Sequence, residues 1–181
     1  MGRLTGKRAV VTGAGRGLGQ AVAALFAGEG ACVVVADVDM RGAEAVAGTI
    51  AQADGNAVAV SADVTSVAAV EQMIDTAVSR FGGLDVLVNN AGVASAGSVT
   101  DIDEAEWDRV MAINAKAAFL CCRAAVPHME SAGGGSIVCI SSASGVTGQK
   151  AQEAYNVSKH AVIGLVRCMA QNHAMVVFEP G

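Results

Sequence analysis

At 181 residues, 52% of them hydrophobic, the chain has material for one sizeable core, and a single domain over residues 1–181 is expected. A formal net charge of −5 with scattered lysines and arginines excludes a nucleic-acid partner, which needs clustered cations. The start "MGRLTGKRAVVTGAG" lacks the apolar centre of a signal peptide, no apolar run approaches the roughly 20 residues of a membrane span, and Gly6 stands where acylation of Gly2 needs Ser or Thr, so no membrane partner is expected.

Apolar runs then alternate with segments of helical period. "RAVVT" (8–12) reads as a strand, followed by a helix over about 17–30 with Leu18, Val22, Leu25 and Phe26 on one face. Next come "ACVVVAD" (31–37), a helix near 41–53, "NAVAVSAD" (56–63), and a helix near 66–81 carrying Val67, Val70, Ile74, Ala77, Val78 and Phe81. "LDVLVNN" (84–90), helical patterns near 101–131, "GSIVCISS" (135–142) and a last helix over about 153–172 complete the series. Strands apolar on both faces and joined through helices predict an α/β fold, a doubly wound parallel sheet in three layers. The five cysteines are odd in number and form no C-x-x-C pair, so they read as reduced, mostly buried thiols of a cytoplasmic protein.

The loop after the first strand, "TGAGRGLG", puts Gly13, Gly17 and Gly19 between a strand and a helix start, with Arg16 and Leu18 among them. Backbone amides at a helix N-terminus hold a pyrophosphate there, because glycines let phosphate approach the chain. The same glycines suit a turn needed only for close packing, and the loop alone leaves both readings open. Asp37 closes the second strand, where a carboxylate accepts hydrogen bonds from both hydroxyls of an adenosine ribose and repels a 2′-phosphate. That favours NAD over NADP, with Arg16 the dissenting cation. The histidines His128, His160 and His173 fall in no ligand spacing, so no metal is proposed. A nucleophile elbow G-x-S-x-G is absent, which disfavours a hydrolase, and "GRLTGK" fails the P-loop pattern.

"TGAGRGLG", "NNAG" (89–92), Asn114, the Ser142 of "ISSASG" and the pair Tyr155 and Lys159 of "YNVSK" stand in the order and spacing of the short-chain dehydrogenase/reductase family, which the chain resembles over about 5–172. The resemblance implies a Rossmann fold and hydride transfer between NAD(H) and a small secondary alcohol or ketone. By position, it implies that Asp63 and Val64 border the adenine and that Asn89, Ala91 and Gly92 brace the central strand and pass beneath the cofactor. It makes Tyr155 the general acid/base, Lys159 its partner in catalysis and cofactor binding, Ser142 the holder of the substrate oxygen, and Asn114 a relay link. Ser144, Gln149 and Gln152 are weaker candidates for substrate contact. The physics of the pair is reasonable: a cation one helical turn away, roughly 5 Å off at an effective dielectric of about 20, favours a phenolate by about 3 kcal/mol.

Family members pair the helices near 101–131 and 153–172 between subunits, so a homo-oligomer, dimer or tetramer, is expected. They also follow a sixth strand with a Pro-Gly pair, a substrate-covering segment and a seventh strand. Here "MVVFEPG", with Pro180 and Gly181, is the expected sixth strand, and the substrate segment and last strand are missing from the pattern. The alternative to an active dehydrogenase is therefore a shortened nucleotide-binding module without turnover.

Overall fold

Short Val- and Ala-rich runs pair into one parallel sheet because they are apolar on both faces, and a helix follows each of the first five. The computed structural model describes residues 2–173 and 176–180. Chain order is β1 (Arg8–Thr12), α1 (Gly17–Gly28), β2 (Cys32–Asp37), α2 (Met40–Gln52), β3 (Asn56–Ser61), α3 (Val67–Phe81) and β4 (Val86–Asn89). There follow α4 (Glu104–Met111), a π-helical turn (Ala112–Lys116), α5 (Ala117–Ser131), β5 (Gly135–Cys139), α6 (Glu153–Asn172) and β6 (Val176–Pro180).

The strands lie in the order β3-β2-β1-β4-β5-β6, all parallel. Alternation along each strand divides the core into two layers. Val10, Val34, Leu87 and Ile137 point one way, to Met73, Ile74, Met129 and Val162 of α3, α5 and α6. Val11, Val33 and Val35 point the other way, to Ala23, Val46 and Ile50 of α1 and α2. The order reverses between β1 and β4, and the crevice outside the carboxyl ends of the strands there is where an open α/β sheet holds its ligand.

Local chemistry sets the helix ends. Asp39 accepts from the amide of Arg41 at the start of α2, Ser66 from Ala69 at α3, and Asp103 from Glu106 at α4. Gly82, at φ 83°, closes α3 in the left-handed conformation that glycine adopts without steric cost.

Two apolar faces differ from the periodicity. On α1, Leu18 and Leu25 are 57% and 56% exposed, while Gly19, Ala23 and Ala27 are buried and Val22 and Phe26 only partly so. Close approach of the helix to the strands selects its small residues for the inner face and turns the larger ones outward. On α3, Val67 is exposed and Met73 takes an inward position. The fifth strand stops at Cys139 rather than at residue 142, because the Ser142 hydroxyl accepts from the Ser144 amide and opens a 3-10 turn over Ala143–Gly145.

The sixth strand forms beside β5, with Ile137 paired to Phe178, whereas Gly181 lies outside the described residues. The helical run Glu104–Ser131 is longer and more apolar than the sequence reading allowed, enough by both measures for a membrane span. Half of its apolar window is buried inside the fold, where α5 packs on α3 and on strands β4 and β5. It is a core helix of the sheet.

Candidate active site

The site is built where β1 and β4 end side by side. Thr12 is buried, and its hydroxyl accepts from the amides of Asn90 (3.0 Å) and Ala91 (3.1 Å). The Asn90 amide group returns two bonds, to the carbonyls of Thr12 (2.9 Å) and Gly13 (3.0 Å). These four bonds fix the start of the glycine loop against the end of the neighbouring strand.

Glycine is required in that loop for two reasons. Gly13 has φ 62°, and a Cβ on it would lie 2.9 Å from Ala91 Cα. A Cβ on Gly19 would lie 2.3 Å from the Gly13 carbonyl oxygen, backbone that cannot step aside. Asp37 ties the loop to β2: its Oδ2 accepts from the Gly15 amide (2.9 Å) and its Oδ1 from the Asp39 amide (2.9 Å).

An open cleft of roughly 830 Å³ lies outside the strand ends. Gly13, Arg16 and Gly17 line its glycine-loop wall, with Asp37 and Val38 at the end of β2 and Asp63, Val64 and Thr65 after β3. Ala91 and Gly92 follow β4, and Arg109 and Ile113 close the side formed by α4 and the π-turn. Asp63 accepts from the Thr65 hydroxyl (2.7 Å) and amide (2.9 Å), which together hold its carboxyl below the usual range.

At Gly92 the cleft meets the buried polar residues of α6 and the π-turn. A Cβ on Gly92 would stand 3.3 Å from Asn114 Oδ1 and 3.6 Å from Lys159 Nζ. Asn114 is buried, and its side chain accepts from the Val93 amide (2.8 Å) while donating to the Val93 carbonyl (2.9 Å) and the Ser158 hydroxyl (3.0 Å). Ser158 in turn donates to the Tyr155 carbonyl (2.7 Å). Lys159 is also buried, donates to the Ile140 carbonyl (2.8 Å), and lies 5.7 Å from the centre of the Tyr155 ring. Burial pushes the Lys159 pKa down, opposed by the nearby Cys139 thiol.

Ser142 is half-buried at the head of the 3-10 turn, on the segment that leads from β5 to α6. Other sequence candidates stand elsewhere. Asn89 points away from the cleft, its amide donating to the sulfurs of Cys122 and Cys139 (3.3 Å each). Gly19 packs beneath the loop and Leu18 projects from α1 into the open. Ser144 is buried and offers no surface to a substrate. Gln149 is exposed, its carbonyl accepting from Asn156, and the half-buried Gln152 pairs with Gly97. Sequence reasoning missed Thr12, Asn90 and Arg109. Arg109 and Ile113 are one helical turn apart, a spacing that would have linked them had the face of α4 been known.

A parallel sheet with a crevice at the order reversal, a glycine loop and an acidic residue at the end of β2 defines a doubly wound, Rossmann-like architecture. A model of the short chain dehydrogenase family matches residues 7–176, and the chain belongs to that family. The 3-alpha-(or 20-beta)-hydroxysteroid dehydrogenase of Mycobacterium bovis is 43% identical over 169 residues, covering 93% of this chain and 64% of the relative. The D-threitol dehydrogenase of Mycolicibacterium smegmatis is 37% identical over 168 residues, covering 93% and 65%. A solved short chain dehydrogenase from Mycobacterium smegmatis superposes with a TM-score of 0.93 at 36% identity, over 97% of this chain and 75% of that one. The chain thus spans just under two thirds of the length of those two curated relatives.

Proposed function

We propose that the chain carries the nucleotide-binding and catalytic residues of a dehydrogenase that exchanges hydride between NAD(H) and a secondary alcohol or ketone. One observation carries this reading. The cleft bounded by the glycine loop and Asp37 runs to Gly92, whose backbone lies against Lys159 and Asn114, and Lys159 lies beside the Tyr155 ring. The residues fit a dinucleotide: two glycines stand where any Cβ would collide, and Arg16 and the start of α1 meet the same wall.

When bound, the nicotinamide supplies the acceptor or donor of hydride. The chain's own residues handle the proton. In alcohol oxidation the Tyr155 phenolate oxygen takes the hydroxyl proton as the C–H bond gives up its electron pair; in ketone reduction the phenol returns a proton to the new alkoxide. The ammonium form of Lys159, donating to the Ile140 carbonyl, favours the phenolate form. Ser142 orients the same substrate oxygen. Both amide protons of Asn114 are committed to Val93 and Ser158, so Asn114 acts as a positioning residue for the cleft floor and the Tyr155 helix.

Asp37 selects NAD over NADP, since a 2′-phosphate would approach its carboxylate. The names of the two relatives, a hydroxysteroid and a threitol dehydrogenase, support a hydroxyl-bearing substrate. Exposed Phe119 on α5 and Val157 on α6 support pairing of these helices in a homo-oligomer, and the free cysteines fit a reducing cytoplasm.

Replacing Tyr155 by Phe should lower turnover on a panel of secondary alcohols and ketones at least about 100-fold. NADH affinity, read by fluorescence titration, should stay within about twofold. Unchanged turnover would remove Tyr155 from the chemistry. NADH binding by the unaltered chain with no turnover would assign a binding module instead.

A further inference from the structure

Arg109 lines the cleft wall one turn before Ile113, and the segment that carries Asp63, Val64 and Thr65 lines the same cleft. Glu106 grips its guanidinium edge-on, with Nε donating to Oε2 at 2.7 Å and Nη2 to Oε1 at 2.9 Å. Such a two-point tie fixes the plane of the group and leaves its faces free. The Arg109 and Glu106 side chains are 44% and 31% exposed, so the fixed plane lies at the surface of the cleft. Arg109 holds the Glu106 carboxyl down at about 2, so the tie stays ionised through neutral and mildly acidic pH.

This geometry suits a flat, neutral ring better than a phosphate. The carboxylate of Glu106 already balances the charge of Arg109 along its donor edge. Two further carboxylates, Asp37 and Asp63, face the same cleft and disfavour an anion there, whereas Arg16 stands at the glycine loop. Asp63 can accept from an exocyclic amine, and Val64 and Ile113 supply apolar contact.

We infer that Arg109, held by Glu106, is a specificity-determining contact for the adenine ring of the dinucleotide, its guanidinium face laid against the ring. The inference rests on the dinucleotide reading above. A cation over an aromatic face contributes enough that Arg109→Ala should weaken NADH and 5′-AMP alike, by about three- to tenfold. Affinity for nicotinamide mononucleotide should stay within about twofold, and circular dichroism should report an unchanged melting curve.

Arg109→Lys tests the plane against the charge. It should weaken 5′-AMP nearly as much as the alanine variant, because a compact ammonium has neither the fork nor the face. Full affinity in the lysine variant means a simple charge contact and overturns the inference. So does 5′-AMP affinity unchanged by Arg109→Ala, or an equal loss for nicotinamide mononucleotide. If the unaltered chain binds neither NADH nor 5′-AMP, the dinucleotide reading itself fails, a result distinct from NADH binding that ignores Arg109.

Discussion

Ala151 holds a left-handed backbone, φ 54°, two residues before α6 begins. Its carbonyl accepts from the Gly97 amide (2.8 Å), and Gly97 and Gln152 form a short parallel bridge, so the strained residue pins the segment after β4 to the entry of the Tyr155 helix. An L-residue at that φ costs about 1–2 kcal/mol, partly offset by the extra freedom glycine brings to the unfolded chain. Ala151→Gly should therefore raise stability by roughly 0.5–1 kcal/mol in urea denaturation, and a loss would mean that the Ala151 methyl packs productively. At this scale Tyr155 and Lys159 were legible because one helical turn fixes their relation whatever the helix packs against. Asn89 and Asn90 were not. Asn89 ends β4 and Asn90 follows it, and only the packed sheet decides that Asn90 meets the glycine loop while Asn89 meets two thiols.

Elements were read well where composition alone decides them. The first strand and the last helix have the bounds their patterns suggested, since "RAVVT" is apolar throughout and Glu153–Asn172 keeps one period for its whole length. The inner face of α1 escaped, because hydrophobic period ranks Leu above Ala and Gly, whereas close approach to a sheet reverses that ranking. The strands are also joined by charge. Asp85, just before β4, accepts from the Arg8 amide (2.8 Å) and Nε (2.6 Å) through Oδ2, and from Nη2 (2.8 Å) through Oδ1. Arg8 holds the Asp85 carboxyl below its ordinary 3.8, against an opposing effect of burial. With a depressed folded pKa, the stabilisation is fully present above 3.8 and lost as pH falls through the folded value. Asp85→Asn should cost about 1–2 kcal/mol at neutral pH, discounted for partial exposure, with the gap to the unaltered chain narrowing below about pH 4. A gap independent of pH would assign the bonds to geometry rather than charge.

Across the whole molecule the two faces of the sheet are unequally covered. Toward α3, α5 and α6 the apolar layer is continuous from β3 to β6, ending in buried Val176. Toward α1 and α2 it thins at the other end: Val138 is half-buried, and Val177, paired with Ser136, is 55% exposed. A parallel strand open on one face presents a binding surface for apolar probes. Val177→Thr should lower the fluorescence of a bound hydrophobic dye while changing stability by no more than about 0.5 kcal/mol. Unaltered dye binding would place the exposed surface elsewhere. The three-layer plan itself was legible from alternating strands and helices, but uneven coverage depends on which helices cross to which face, a property of the assembled sheet.

The π-turn over Ala112–Lys116 makes the helix containing it a two-part index. Arg109 ahead of it and Ile113 within it line the cleft; behind it, Cys121 and Ala125 are phased to the core. A π-turn accommodates one residue more than an α-helical turn, so the extra residue is absorbed locally and the two flanking parts keep close to the phase of one continuous helix. The same residue inserted into the regular spiral of α4 would instead rotate one part against the other by about 100° and carry Arg109 out of the cleft. The turn thus tolerates its extra residue without disturbing either stripe, and it presents buried Asn114 from its own widened spiral.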